Sequence, residues 1–149
     1  MSTQAGDKFP EFVAPTQDGE TVNLSEYRDG SNLVVFFYPK ATTRGCVRET
    51  TEFGVRREEF DAINTRIVGV SVDDPALQKE HQNQCAANFP LLCDVDKHLT
   101  TELGILNDNG MSRRTSYLID KSGKISKVFE SVNVDGHVSE VLEAAKALA

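Results

Sequence analysis

Asn32-Leu33-Val34-Val35-Phe36-Phe37-Tyr38-Pro39-Lys40-Ala41-Thr42-Thr43-Arg44-Gly45-Cys46 is the stretch that decides the fold. It opens with an uninterrupted β-branched and aromatic run, Asn32 to Tyr38, the pattern of a strand buried on both faces. Pro39 ends that strand, because proline has no N–H to give to a central ladder. A short loop follows. Cys46 then opens a helix-compatible stretch to about Asp61, with Phe53 and Phe60 on one face.

Working outward, Arg66-Ile67-Val68-Gly69-Val70-Ser71-Val72 reads as a second buried strand. Asp73-Asp74-Pro75 supplies a cap and a proline at the first helical position, so a polar helix is predicted to about Ala87. Phe89 to Cys93 reads as a short extended segment, and Asp94 to Leu103 as a helix that Asp96 can cap. Ser116–Ile119 and Ile125–Phe129 flank Asp120-Lys121-Ser122-Gly123-Lys124, a hairpin signal. Val138, Val141, Leu142, Ala145 and Leu148 form the stripe of a closing helix. Upstream, Phe12-Val13 and Thr21–Leu24 around Gln17–Glu20 predict an N-terminal β-hairpin. This order describes an α/β protein of thioredoxin-like fold: a central mixed β-sheet flanked by helices, with the hairpin added.

Composition narrows the function classes. The 149 residues suit a single domain, 1–149, and 39% hydrophobic content can build its core. Acidic residues outnumber basic ones 23 to 16, a formal charge of -7, which argues against a nucleic-acid partner. The apolar run Leu33–Tyr38 is far shorter than the ~20 residues of a membrane span. Met1-Ser2-Thr3-Gln4-Ala5-Gly6-Asp7 lacks the basic flank and apolar run of a secretory signal, so a cytoplasmic protein is expected. Three cysteines, Cys46, Cys85 and Cys93, are too few for a disulfide scaffold.

Cys46 stands where a buried strand, a loop and a helix start meet. A thiol there faces unpaired backbone N–H groups and the positive end of the helix dipole. Both favour thiolate, the nucleophilic form. Arg44 adds a cation nearby. A small residue filling the first helical turn is the bland alternative.

The run from Pro39 through Thr43 to Cys46 resembles the signature of the peroxiredoxins. Phe37-Tyr38-Pro39-Lys40, Ser71-Val72-Asp73, Phe89-Pro90-Leu91-Leu92, Arg114 with Tyr117-Leu118-Ile119-Asp120, and Gly6-Asp7-Lys8-Phe9-Pro10-Glu11-Phe12 fit it too. The resemblance is nearest to the bacterioferritin-comigratory, or peroxiredoxin Q, subgroup. It implies a thiol-dependent peroxidase for hydrogen peroxide and alkyl hydroperoxides, with no cofactor, and with thioredoxin or a similar dithiol as electron donor. It implies a monomer or weak dimer. By the same resemblance Cys46 is the peroxidatic cysteine, which becomes a sulfenic acid. Thr43 orients the peroxide, with a helix cap as its plainer role. Pro39 walls off the thiolate. Arg114 stabilises thiolate and leaving oxygen, although the adjacent Arg113, or a surface role, competes for the assignment. Glu49 is the residue able to hold Arg114 by an ion pair, with surface exposure as the alternative.

Two positions depart from the pattern. Arg44 stands where relatives often have proline. Thr51 stands where many members of the subgroup carry the resolving cysteine. The resemblance then points to Cys85, in the helix after the second core strand, as the resolving residue, with a buried helix cysteine as the alternative. Cys93 reads as a buried core residue. A one-cysteine peroxidase and a non-catalytic redox-sensing module are the rival functions. His81, Cys85, Cys93 and His98 lack the paired spacing of a metal site, and no dinucleotide fingerprint is present.

Overall fold

The computed structural model describes residues 3–27, 30–130 and 132–148. Met1 and Ser2 of the N-terminal segment lie outside them. Asn32–Phe37 (β3) is the middle strand of a five-stranded mixed sheet. It pairs in parallel with Thr65–Ser71 (β4), which pairs in parallel with Leu91–Cys93 (β5). On its other side it runs antiparallel to Thr115–Ile119 (β6), itself antiparallel to Ile125–Phe129 (β7). Val13–Pro15 (β1) and Thr21–Asn23 (β2) make the predicted hairpin, a separate two-stranded sheet.

Every residue of β3 is buried because both faces of the sheet are covered. Val34 and Phe36 point into one core, with Phe53, Phe60, Val138, Val141 and Leu142 of the helices. Leu33, Val35 and Phe37 point into the other, with Phe9, Phe12, Leu24, Leu92 and Leu99. That alternation is the period of two of a pleated strand, and the double burial explains the unbroken apolar run.

The helices are Arg44–Val55 (α1), Arg57–Asp61 (α2), Pro75–Cys85 (α3), His98–Glu102 (α4) and His137–Leu148 (α5). Two predicted boundaries shift. The helix expected from Cys46 to Asp61 begins earlier, at Arg44, and breaks at Arg56, where φ is -95° and ψ 4°. The break follows Gly54, the poorest helix former of the stretch, and still lets Phe53 and Phe60 pack together, ring centroids 5.9 Å apart. The helix expected over Asp94–Leu103 is confined to α4. Asp96 accepts from the His98 N–H, but buried Asp94 does more, accepting from Leu99 N, Thr100 N and the Thr100 hydroxyl. Among the described residues no helix is long and apolar enough to cross a membrane.

Strand register collects distant residues at one end of the sheet. Phe37 pairs with Val70 on one side and with Thr115 on the other. Asp73, just past β4, and Arg114, just before β6, therefore flank the loop that leads from β3 into α1.

Candidate active site

Cys46 is the third residue of α1, and its residue is only 1% exposed. Arg114 reaches it from across the sheet: Nη2 donates to Cys46 Sγ at 3.3 Å. Nη1 donates to Glu49 Oε1 at 2.8 Å. Glu49 follows Cys46 by one helical turn, so both lie on one face of α1. Glu49 is fully buried, not surface-exposed. Burial raises its carboxyl to about 7, against the pull of Arg114. Among the described residues its Oε2 has no hydrogen-bond partner, and it lies 3.8 Å from His137 Nε2, which bonds to Ser116 Oγ at 2.8 Å. Gly45 leaves room for the guanidinium, since a Cβ there would stand 3.2 Å from Arg114 Nη2. Arg113, by contrast, is exposed and donates to Asn107 Oδ1.

The loop before α1 is tied from behind. Asp73 Oδ2 accepts from Ala41 N–H at 2.7 Å and from Ser71 Oγ at 2.8 Å. His81 Nδ1 accepts from Thr42 N–H at 2.8 Å, and Thr42 sits at φ +67°, an uncommon angle for a β-branched residue. Thr43 is the N-cap residue by backbone angle but makes no side-chain cap bond. Its hydroxyl donates instead to Lys40 O at 2.7 Å, and the residue is exposed. Pro39 is half-buried and Arg44 exposed, placing a cation at the positive end of α1.

All three cysteines are free and buried. Cys85, the last residue of α3, donates to Val47 O at 3.6 Å and lies 3.7 Å from His81 Nε2. Burial raises its thiol pKa; the Thr51 hydroxyl opposes this and Cys46 adds to it. Thr51 and Cys85 are thus neighbours across the α1–α3 contact. Cys93 lies in β5, where burial, with Asp74 and Asp73 nearby, pushes its thiol up to about 12. Among the described residues no three His, Cys, Asp or Glu side chains are grouped to hold a metal ion.

The family model described as AhpC/TSA family matches residues 5–128. The chain belongs to the AhpC/TSA family. It is 33% identical over 150 residues to peroxiredoxin Bcp of Escherichia coli K12, covering 96% of each chain. Its fold is similar to that of peroxidoxin BcpB from Mycobacterium tuberculosis, with TM-score 0.92, 28% identity and 99% of both chains covered. It is also similar to a bacterioferritin comigratory protein of Xanthomonas campestris, solved for insight into alkyl peroxide reduction (TM-score 0.86, 27% identity, 99% of this chain and 97% of that one). The chain is accordingly a peroxiredoxin, a thiol-dependent peroxidase that takes a peroxide substrate and a thiol reductant.

Several residues of this peroxiredoxin site escaped the sequence. His81 entered only a weak metal set, yet its spacing of four from Cys85 puts both on one helical face, a signal that was available. The Asp73-Asp74-Pro75 cap signal is met by Asp74, which accepts from Leu77 N–H, while the bond of Asp73 to the Ala41 N–H is not marked in the sequence. Nothing in the local sequence marks His137, because its place beside Glu49 depends on how α5 docks.

Proposed function

We propose that this peroxiredoxin reduces hydrogen peroxide and alkyl hydroperoxides at Cys46. Cys85 resolves the product as an intramolecular disulfide, and thioredoxin or a similar dithiol reduces it. The Cys46 thiolate attacks one peroxide oxygen, an S–O bond forms and the O–O bond breaks. The leaving oxygen departs with a proton as water or alcohol, and Cys46 becomes a sulfenic acid. Arg114 holds its charge where both the thiolate and the leaving oxygen need it. Glu49 positions that guanidinium, Thr43 offers an acceptor to the peroxide O–H, and Pro39 screens the sulfur from water.

The observation that carries this reading is the single guanidinium shared by Cys46 Sγ and the buried Glu49 carboxylate. Alkyl hydroperoxides are included because the Xanthomonas campestris relative is described by its alkyl peroxide reduction. Cys85 is favoured over Cys93 because its sulfur already touches α1 at Val47, the neighbour of Cys46. The two sulfurs have different partners, so they meet only when the start of α1 opens. That end is lightly held: it has no side-chain cap, a cation at its first position and a strained Thr42 before it.

Peptide mapping after one equivalent of peroxide, without reductant, tests the assignment. The expected product is a Cys46–Cys85 disulfide. Cys85→Ser should consume the first equivalent, then lose thioredoxin-linked turnover and overoxidise at Cys46. A Cys46–Cys93 linkage removes Cys85 from the cycle. A sulfenic acid that persists until an external thiol reduces it makes the protein a one-cysteine peroxidase.

A further inference from the structure

His81 is fully buried, stacked on the Tyr38 ring at 4.8 Å, and no step described above uses it. Both its nitrogens are occupied. Nδ1 accepts the Thr42 N–H, so the proton of the neutral ring sits on Nε2. Nε2 lies 2.9 Å from Thr50 Oγ1 and 3.7 Å from Cys85 Sγ. In this state the ring can donate toward Cys85 but cannot accept its proton. Cys85 gives its own S–H to Val47 O.

Thr42, Val47 and Thr50 all belong to the segment around Cys46, whereas His81 and Cys85 share α3. Opening that segment breaks the three contacts together. Once Thr42 N–H leaves, the ring proton can move to Nδ1, and Nε2, the nitrogen nearest Cys85, becomes an acceptor.

We propose that His81 is the general base of the resolving step, held off while the loop and α1 are closed and released when they open. This rests on the assignment of Cys85 as the resolving residue. Nε2 takes the Cys85 thiol proton and the thiolate attacks Cys46 Sγ. The S–S bond forms, the S–O bond of the sulfenic acid breaks, and the departing hydroxide takes the proton from the imidazolium to leave as water. The sulfenic acid is the oxidant and the thiol the reductant, so no further reagent is needed. The titratable groups facing the ring are Asp73 from the β4–α3 turn, the Tyr38 phenol at the end of β3, and Cys85 on its own helix. In the closed state burial lowers the imidazole to about 4, against the pull of Asp73. Opening admits water and returns it toward its ordinary range of about 6.5.

The test is rapid acid quench with mass spectrometry, which counts sulfenic acid and disulfide separately. In the unaltered protein the rate of disulfide formation should rise with pH through about 6.5 and then level off. A rate flat from about pH 5.5 to 7.5 overturns the proposal without any variant. His81→Asn keeps an acceptor for Thr42 N–H but removes the base. It should slow disulfide formation at least ~10-fold at pH 7 while slowing sulfenic acid formation far less, and added imidazole should restore the lost rate. Equal slowing of both steps without rescue shows a structural role and overturns the proposal, as does disulfide formation at the unaltered rate. Absence of any Cys46–Cys85 disulfide in the unaltered protein overturns the resolving assignment and this proposal with it.

Discussion

Two buried networks flank α1, and they are built on opposite electrostatic principles. On the β6 side Glu49 is buried with one oxygen paired to Arg114 and the other without a hydrogen-bond partner among the described residues. On the α3 side His81 is buried neutral with both nitrogens engaged. Burial acts on both, but on groups of opposite charge type, so the shifts run in opposite directions: Glu49 up to about 7, His81 down to about 4. The Glu49 contribution to stability is present at low pH and lost as pH rises from 4.5 through about 7. The His81 contribution is present above 6.5 and lost as pH falls through about 4. The two trends offset one another in mildly acidic solution. A flat stability profile there would conceal two steep ones.

The largest expected effect falls on the charged side. Arg114→Ala should slow the reaction with peroxide about 10²–10³-fold, or about 3–4 kcal/mol, because it removes the donor to the Cys46 sulfur, the proposed nucleophile, and strands Glu49. Stopped-flow peroxide kinetics check this. If Arg113→Ala proves the more damaging change, the assignment within the pair is wrong.

The next two predictions separate the networks by denaturant unfolding against pH. Glu49→Gln removes the carboxyl titration. The stability of the unaltered protein relative to this variant should fall by up to about 3 kcal/mol between pH 4.5 and 7. His81→Asn should show the mirror image, a relative loss of similar size as pH drops from 6.5 toward 4. A gap constant with pH in either variant would remove that network from the comparison.

The smallest effect is expected at Cys93. It shares burial with Cys85 but ends β5, paired with Ser71 of β4 and near Asp73 and Asp74. Cys93→Ala should reduce stability by about 1 kcal/mol and leave peroxide turnover within about twofold. A larger loss of turnover would give this thiol a part in the cycle.

Strand and helix identities were readable because each is a local pattern: the unbroken run of β3, the proline start of α3, the apolar stripe of α5. The boundaries that moved did so where neighbours competed for the same backbone. α1 broke after Gly54, and Asp94 took most of the capping expected of Asp96 because it is buried and within reach of three donors. Within the candidate site, Cys46 was marked by its own setting of strand, loop and helix start. Thr43, Arg114 and Cys85 were singled out through the family resemblance, each with a plainer alternative beside it.

What the sequence determined alone is the order of elements and the thiol placed at the start of α1, because propensity, periodicity and helix-end electrostatics act over a few residues. What only the tertiary structure decided is which distant groups reach that point. Arg114 stands 68 residues from Cys46 and meets its sulfur because β6 pairs antiparallel with β3 in a register that ends at Phe37 and Thr115. His81 meets the Thr42 N–H because α3 packs across α1. Register and docking are set by the sum of many weak contacts spread over both cores, so no short stretch of the chain encodes them.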